Sequence, residues 1–293
     1  MSDRNDRFDL QIHQQGDTRT LEVDMDLDAS PEEVWKALTE AERLKAWFPF
    51  QADVSPGVGG KIHMSWDGAW ESDLEIRVWE PDKHLRTGWP WTSEDGLAGI
   101  ENEVLVDYFI EARSGGGTRL RLVHSGFPVG DEWEDIFDGT RRGWSYELRS
   151  LKHYLEHHNG RSRRVARVRR PMAGISAAEA WHRLWSPQGL VAEGVAEPFI
   201  EGGSYRFTMP GEIELAGRVL VAIPPTDLGL TIEGVENSLF RVAVAHPAGP
   251  GEPPEIQLWL ATWGALREQV SAIEAAWESA LDRILTPLAA RSA

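Results

Sequence analysis

The chain has 293 residues, of which 41% are hydrophobic; that is room for two domains with packed cores and excludes wholesale disorder. A net charge of −17 disfavours polyanions, so nucleic acid is not an expected partner, and no apolar run is long enough for insertion across a bilayer. Without cysteine there is no disulfide, thiolate nucleophile or Cys-ligated zinc, and the polar start "MSDRNDRFDLQIHQQGD" does not read as a signal peptide, so a cytoplasmic protein is expected.

The first element after that start is "TLEVDMDLDA". Leu21, Val23, Met25 and Leu27 alternate with Glu22, Asp24 and Asp26, the pattern of a half-buried strand. Ser30, Pro31 and Glu33 then read as a helix cap, with Val34, Trp35 and Leu38 on one face. A second short helix is expected over 40–47, and "PFQADVSPGVGG" reads as turn chemistry. Strands are predicted at 60–66, 72–80, 83–91, 101–112 and 118–125. A long helix follows over "DEWEDIFDGTRRGWSYELRSLKHYLEHH", with Trp144, Leu148, Leu151 and Leu155 as its apolar stripe and a break at Asp138–Gly139.

The second half repeats this order. "RRVARVRR" is a strand, and Ser176 opens the helix "SAAEAWHRLW". Strands are predicted near 203–209, 213–222, 227–234, 238–246 and 255–262, before a closing helix from Gly264 to Leu288. Trp35 matches Trp181, Gly59 matches Gly202 and Trp144 matches Trp277, in order and with a shrinking offset. Three collinear anchors indicate a tandem duplication, with domains at 1–157 and 162–293 and shorter loops in the second copy. Superposition is expected to place Trp35 on Trp181 and Trp144 on Trp277.

The motifs "DASPEEVWKALTEAERLKAWF", "GGKIHMSW", Pro81-x-x-x-Leu85-x-x-x-Trp89, "GGGTRLRLVHSGF" and "GWSYELRSLKHYL" resemble the activator-of-Hsp90-ATPase-homologue (AHSA1)-like group of the START/Bet v 1 (SRPBCC) superfamily. The resemblance covers about residues 20–157. The second copy keeps "SAAEAWHRLW", "PFIEGGSYRF" and the last helix but has "PPEIQLWLATWG" in place of the "GTRLRLVHSG" signature. The resemblance implies an α+β fold of two helix-grip domains, each a curved antiparallel sheet wrapped around a long C-terminal helix. It also implies an apolar cavity between sheet and helix.

Alternation puts Thr118, Leu120, Leu122 and His124 on one face of their strand, with Arg119 and Arg121 solvated on the other. Val104, Val106, Tyr108 and Ile110 form the inner face of the strand before it. Tyr108 and His124 are therefore either polar handles in an apolar pocket or core groups that bond to each other, to backbone or to water. Trp47, Phe48 and Phe50 fall where the family's cavity has its mouth. Trp66, Trp89, Trp91 and Trp144, with Leu148, are candidates for its walls.

"HYLEH" matches a zinc-binding spacing, yet no third ligand accompanies it, and it reads as the polar last turn of a helix. The six Arg of "RSRRVARVRR" read as a solvated strand face or as partners for the acidic first domain. No dinucleotide fingerprint, phosphate loop or nucleophile elbow occurs, so neither cofactor nor metal is expected.

The expected function is binding of a small hydrophobic or aromatic molecule by a carrier, sensor or sequestering protein. The alternatives are an enzyme such as a polyketide aromatase/cyclase and, more weakly, a co-chaperone for an Hsp90-type partner. The first domain is expected to keep the better cavity and to pack with the second as an internal pseudo-dimer.

Overall fold

Two serines begin the two halves in the same way. Ser30 Oγ accepts the backbone N–H of Glu33 at 3.3 Å, and Ser176 Oγ accepts that of Glu179 at 3.2 Å. Each satisfies one of the unpaired N–H groups at a helix start. In the computed structural model, which describes residues 7–66, 71–89, 103–187, 189–191, 193–195, 199–209, 213–245 and 253–285, these caps open α1 (Pro31–Thr39) and α4 (Ala177–Leu184). The chain divides into two compact units, residues 1–162 and 163–293.

In the first unit β1 (Phe8–Gln15) and β2 (Thr18–Leu27) precede α1 and the short α2 (Ala41–Leu44). Six strands follow: β3 (Gln51–Ser55), β4 (Lys61–Ser65), β5 (Glu71–Glu80), β6 (His84–Trp89), β7 (Val104–Ala112) and β8 (Thr118–Pro128). The unit closes with α3 (Asp131–His157). The antiparallel sheet runs in the order β1-β2-β8-β7-β6-β5-β4-β3.

The second unit has β9 (Arg164–Pro171), α4, β10 (Glu193–Val195), β11 (Ser204–Met209), β12 (Ile213–Ile223), β13 (Asp227–Ile232), β14 (Ser238–Ala245), β15 (Glu255–Thr262) and α5 (Arg267–Leu285). Its sheet runs β10-β11-β12-β13-β14-β15-β9. Without β1, the first sheet has the same order read from β3 to β2.

The paired glycines match as well. Gly59 and Gly202 adopt φ of +81° and +78°, which glycine reaches without strain. Each donates its N–H into the strand opposite: Gly59 to Ile76 O at 2.9 Å, Gly202 to Val219 O at 2.8 Å. The glycine after each accepts in return, from Ile76 N and Val219 N, both at 2.9 Å. A bulge then follows in each copy, between Ile76 and Val78 and between Val219 and Val221.

Four expectations are corrected. The polar start contains β1, paired with β2 along its length; its short Phe8, Leu10, Ile12 alternation is only partly buried. "QADVS" is the edge strand β3 and not turn alone. The second short helix stops at Leu44 and continues as turn. Asp138–Gly139 does not break α3, where Asp138 pairs with Arg141 at 2.6 Å and Arg142 at 2.8 Å along the same helix. The long helix lays Trp133, Phe137, Trp144, Leu148, Leu151 and Leu155 into the core.

Candidate functional site

Strand register defines the interior of the first unit. One row crosses the sheet through Ile76, Thr87, Val106, His124 and Leu21, on β5, β6, β7, β8 and β2. The next row runs Leu85, Tyr108, Leu122 and Val23. Side chains of paired residues point to the same face, so Thr87, His124 and Tyr108 share the buried face with aliphatic neighbours.

His124 is 1% exposed. The indole N–H of Trp144, from α3, points at its Nδ1 at 2.9 Å. Indole nitrogen only donates, so Nδ1 is the acceptor and the neutral ring carries its proton on Nε2. That Nε2–H is buried and has no hydrogen-bond partner among the described residues. Burial pushes the imidazole pKa down to about 3 from 6.5, so the ring is neutral at ordinary pH. A sealed donor without an acceptor costs roughly 1–3 kcal/mol in the unliganded protein.

Aromatic rings surround this group. Trp89 stacks on the imidazole with centroids 5.3 Å apart, and Phe127 tilts against it at 4.5 Å. Tyr108 meets Trp144 edge-on at 6.2 Å, Phe48 lies 5.5 Å from Trp144, and Trp66 meets Phe48 edge-on at 5.2 Å. Tyr108 is 7% exposed, and burial raises its phenol pKa. Its hydroxyl makes no hydrogen bond among the described residues, and it does not bond His124.

The other candidates divide. Leu120 and Leu122 of β8 and Leu148 of α3 are fully buried in the core. Trp47 is 0% exposed, and its indole N–H is already bonded to Ala37 O at 2.9 Å, so it packs α1 and offers no polar handle. Phe50 is half-buried and ties its backbone to Ser65 O at 3.1 Å. Trp91 lies outside the described residues. Arg119 and Arg121 are half-exposed on the opposite face and pair with Asp26 and Glu22 of β2 at 3.3 and 2.8 Å.

Thr87 was missing from the sequence candidates. It is 1% exposed with an unbonded Oγ1, whereas buried Thr118 bonds Ala29 O at 2.7 Å. The alternation Leu85, Thr87, Trp89 already placed it inward, but a β-branched residue in a strand draws no notice.

The histidines of "HYLEHH" pack ring on ring, His153 lying 4.7 Å from His157 and 5.3 Å from His158. Among the described residues no group of three or more His, Asp or Glu has a geometry able to hold a metal. Arg169 and Arg170 form ion pairs inside the second unit, with Glu255 at 2.5 Å and Asp282 at 2.9 Å.

A sheet whose inner face is closed by a long C-terminal helix, with two short helices in the first unit and α4 in the second leading into the sheet, defines the helix-grip class in each unit. Residues 28–156, within the first unit, match the family model described as activator of Hsp90 ATPase homolog 1-like protein. Among solved structures, the chain is similar to protein MLL2253 from Mesorhizobium loti, at 26% identity over 48% of this chain and 98% of that one, TM-score 0.42. It is also similar to Aha1 from Colwellia psychrerythraea, solved as a dimer, at 25% identity over 48% and 98%, TM-score 0.40. DynU16, a protein of the dynemicin biosynthetic locus, is 18% identical over 90% of this chain and 97% of that one, TM-score 0.38. No curated protein matches the chain significantly. No helix among the described residues is long and apolar enough to cross a membrane.

Proposed function

We propose that the first unit holds a small hydrophobic or aromatic molecule between its sheet and α3, and that the protein is a cytoplasmic carrier, sensor or sequestering protein for it. The observation that carries this reading is the His124 Nε2–H, buried among Trp89, Phe127 and Trp144 without an acceptor among the described residues. Buried polar groups are nearly always bonded, so one that is not calls for an explanation. A ligand atom supplies it. The AHSA1-like family is consistent with a ligand or a chaperone as partner, and this interior donor favours the ligand.

The same imidazole argues for binding over catalysis. With Nδ1 accepting from Trp144 and a pKa near 3, it can offer a hydrogen bond but is a poor base at neutral pH. Packing of the two units as an internal pseudo-dimer belongs to the same proposal.

Native mass spectrometry of the full chain, gently purified from its source, tests the proposal. A bound small molecule, released on denaturation, is the expected result. Turnover of the recovered compound would show an enzyme instead. A chain with no bound mass that also fails to take up hydrophobic compounds would overturn the reading. Separately produced units that do not associate would remove the pseudo-dimer.

A further inference from the structure

Two buried polar atoms on the same row of the first sheet have no hydrogen-bond partner among the described residues: His124 Nε2 and Thr87 Oγ1. They stand two strands apart, about 10 Å between backbones. Tyr108, on the neighbouring row, adds a third hydroxyl without a hydrogen bond among the described residues. Their neighbours on these rows are Ile76, Leu85, Val106, Leu122, Leu21 and Val23, all uncharged.

We infer that the ligand of this interior is a neutral, flat aromatic molecule carrying carbonyl-type oxygen, with His124 Nε2–H donating to that oxygen and the Thr87 hydroxyl meeting a second polar atom. This rests on the proposal that the first unit binds a hydrophobic molecule, and it specifies the chemistry that proposal leaves open. His124 is fixed as a donor by Trp144, so the ligand atom facing it is an acceptor. The rings of Trp89, Phe127 and Trp144 around His124 suit a flat π-face, and Trp89, stacked on the imidazole, is the ring that a ligand ring would replace. An ionised carboxylate would enter apolar surroundings with one neutral donor and no balancing cation from these rows, which is costly. A pure hydrocarbon would leave both polar atoms unpaired.

Equilibrium dialysis of the full chain against matched probes tests this. The pairs are indane with 1-indanone and fluorene with 9-fluorenone, at two sizes, with 9-fluorenecarboxylate as the anion. The expected result is that, for the pair that fits, the ketone binds about fivefold or more tighter than transfer from water to cyclohexane predicts from its hydrocarbon. The carboxylate binds most weakly. Thr87→Val and His124→Phe should each shrink the ketone preference while hydrocarbon affinity stays within about twofold, since both substitutions roughly keep volume. If hydrocarbons bind and the ketones gain nothing over their transfer values, the ligand class is overturned and hydrophobic binding stands. The carboxylate binding tightest would also overturn it. If no probe binds at either size, this inference and the proposal beneath it both fall. Should His124→Phe not fold, the wild-type ratios and Thr87→Val still decide.

Discussion

The two sheets can be compared residue by residue, because the paired glycines and the bulge fix the register in each. Ile76 of the first unit stands where Val219 stands in the second. From there the row Ile76, Thr87, Val106, His124, Leu21 corresponds to Val219, Leu230, Phe240, Leu260, Ala166. The row Leu85, Tyr108, Leu122, Val23 corresponds to Leu228, Val242, Leu258, Val168. All three polar residues of the first interior are aliphatic in the second. Both sets are buried, so the second unit shows what this fold does with those positions when they serve only as core. The first has polar atoms without a partner among the described residues in the same places, the kind of departure from good packing that the proposed ligand site calls for. The second unit also has an unpaired donor, the Trp185 indole N–H, but it lies among Trp181, Phe199 and Phe207 and off these two rows.

Removing the helix tryptophans breaks what the two units share. Trp144→Ala and Trp277→Ala should each cost about 3–5 kcal/mol by chemical denaturation. The first should cost more, because it also strips His124 Nδ1 of its hydrogen bond, while Trp277 contributes a ring contact with Phe240 at 5.3 Å. Equal small losses would mean that neither helix grips its sheet as described.

Acid should separate the units next. The folded-state pKa of His124 is depressed to about 3 from 6.5. Between those values the unfolded chain binds the proton and the folded one does not, so stability present above about pH 6.5 is lost as pH falls towards 3. The loss approaches about 1.4 kcal/mol per pH unit. Denaturation midpoints at pH 7 and pH 5 should therefore differ less in His124→Phe than in wild type. Identical pH dependence would mean that the ring is not held neutral.

Exchanging the chemistry of one row position gives the two smaller effects. Leu230→Thr imports a hydroxyl into the aliphatic interior and should destabilise the second unit by about 1–3 kcal/mol. Thr87→Val makes the opposite change and should leave the unliganded protein between unchanged and about 1 kcal/mol more stable. A substantial loss in Thr87→Val would show that the hydroxyl has a structural bond. Melting curves of both variants provide the check.

Much of the fold was legible in the sequence because its signals are local. S-x-x-E caps, the glycine pairs and the two-residue alternation of β2, β7 and β8 each follow from a few neighbouring residues. β1 and β3 are edge strands with no fully buried side chain: β3 has only Ala52 and Val54 as apolar residues, while β1 does carry a Phe8, Leu10, Ile12 alternation that escapes notice because it sits in an otherwise polar start. The inward direction of Tyr108 and His124 was readable from period two. What holds His124 was not: its partner comes from α3, twenty positions later in the chain, and only packing brings that helix over the sheet. Trp47 shows the converse. Its sequence position suggested a cavity mouth, but its donor is used within the helical segment it follows. Thr87 became a candidate only when the residues around it were seen to offer no partner.

The most direct test of the central claim is a titration of the uniformly 15N-labelled full chain with 9-fluorenone, followed at the tryptophan indole and histidine imidazole resonances. The account predicts that Trp144 Nε1 and His124 Nε2 shift together and saturate with one site, while Trp277 and Trp185 stay in place. Saturable shifts at Trp277 or Trp185 with Trp144 and His124 unmoved would put the ligand in the second unit and contradict it.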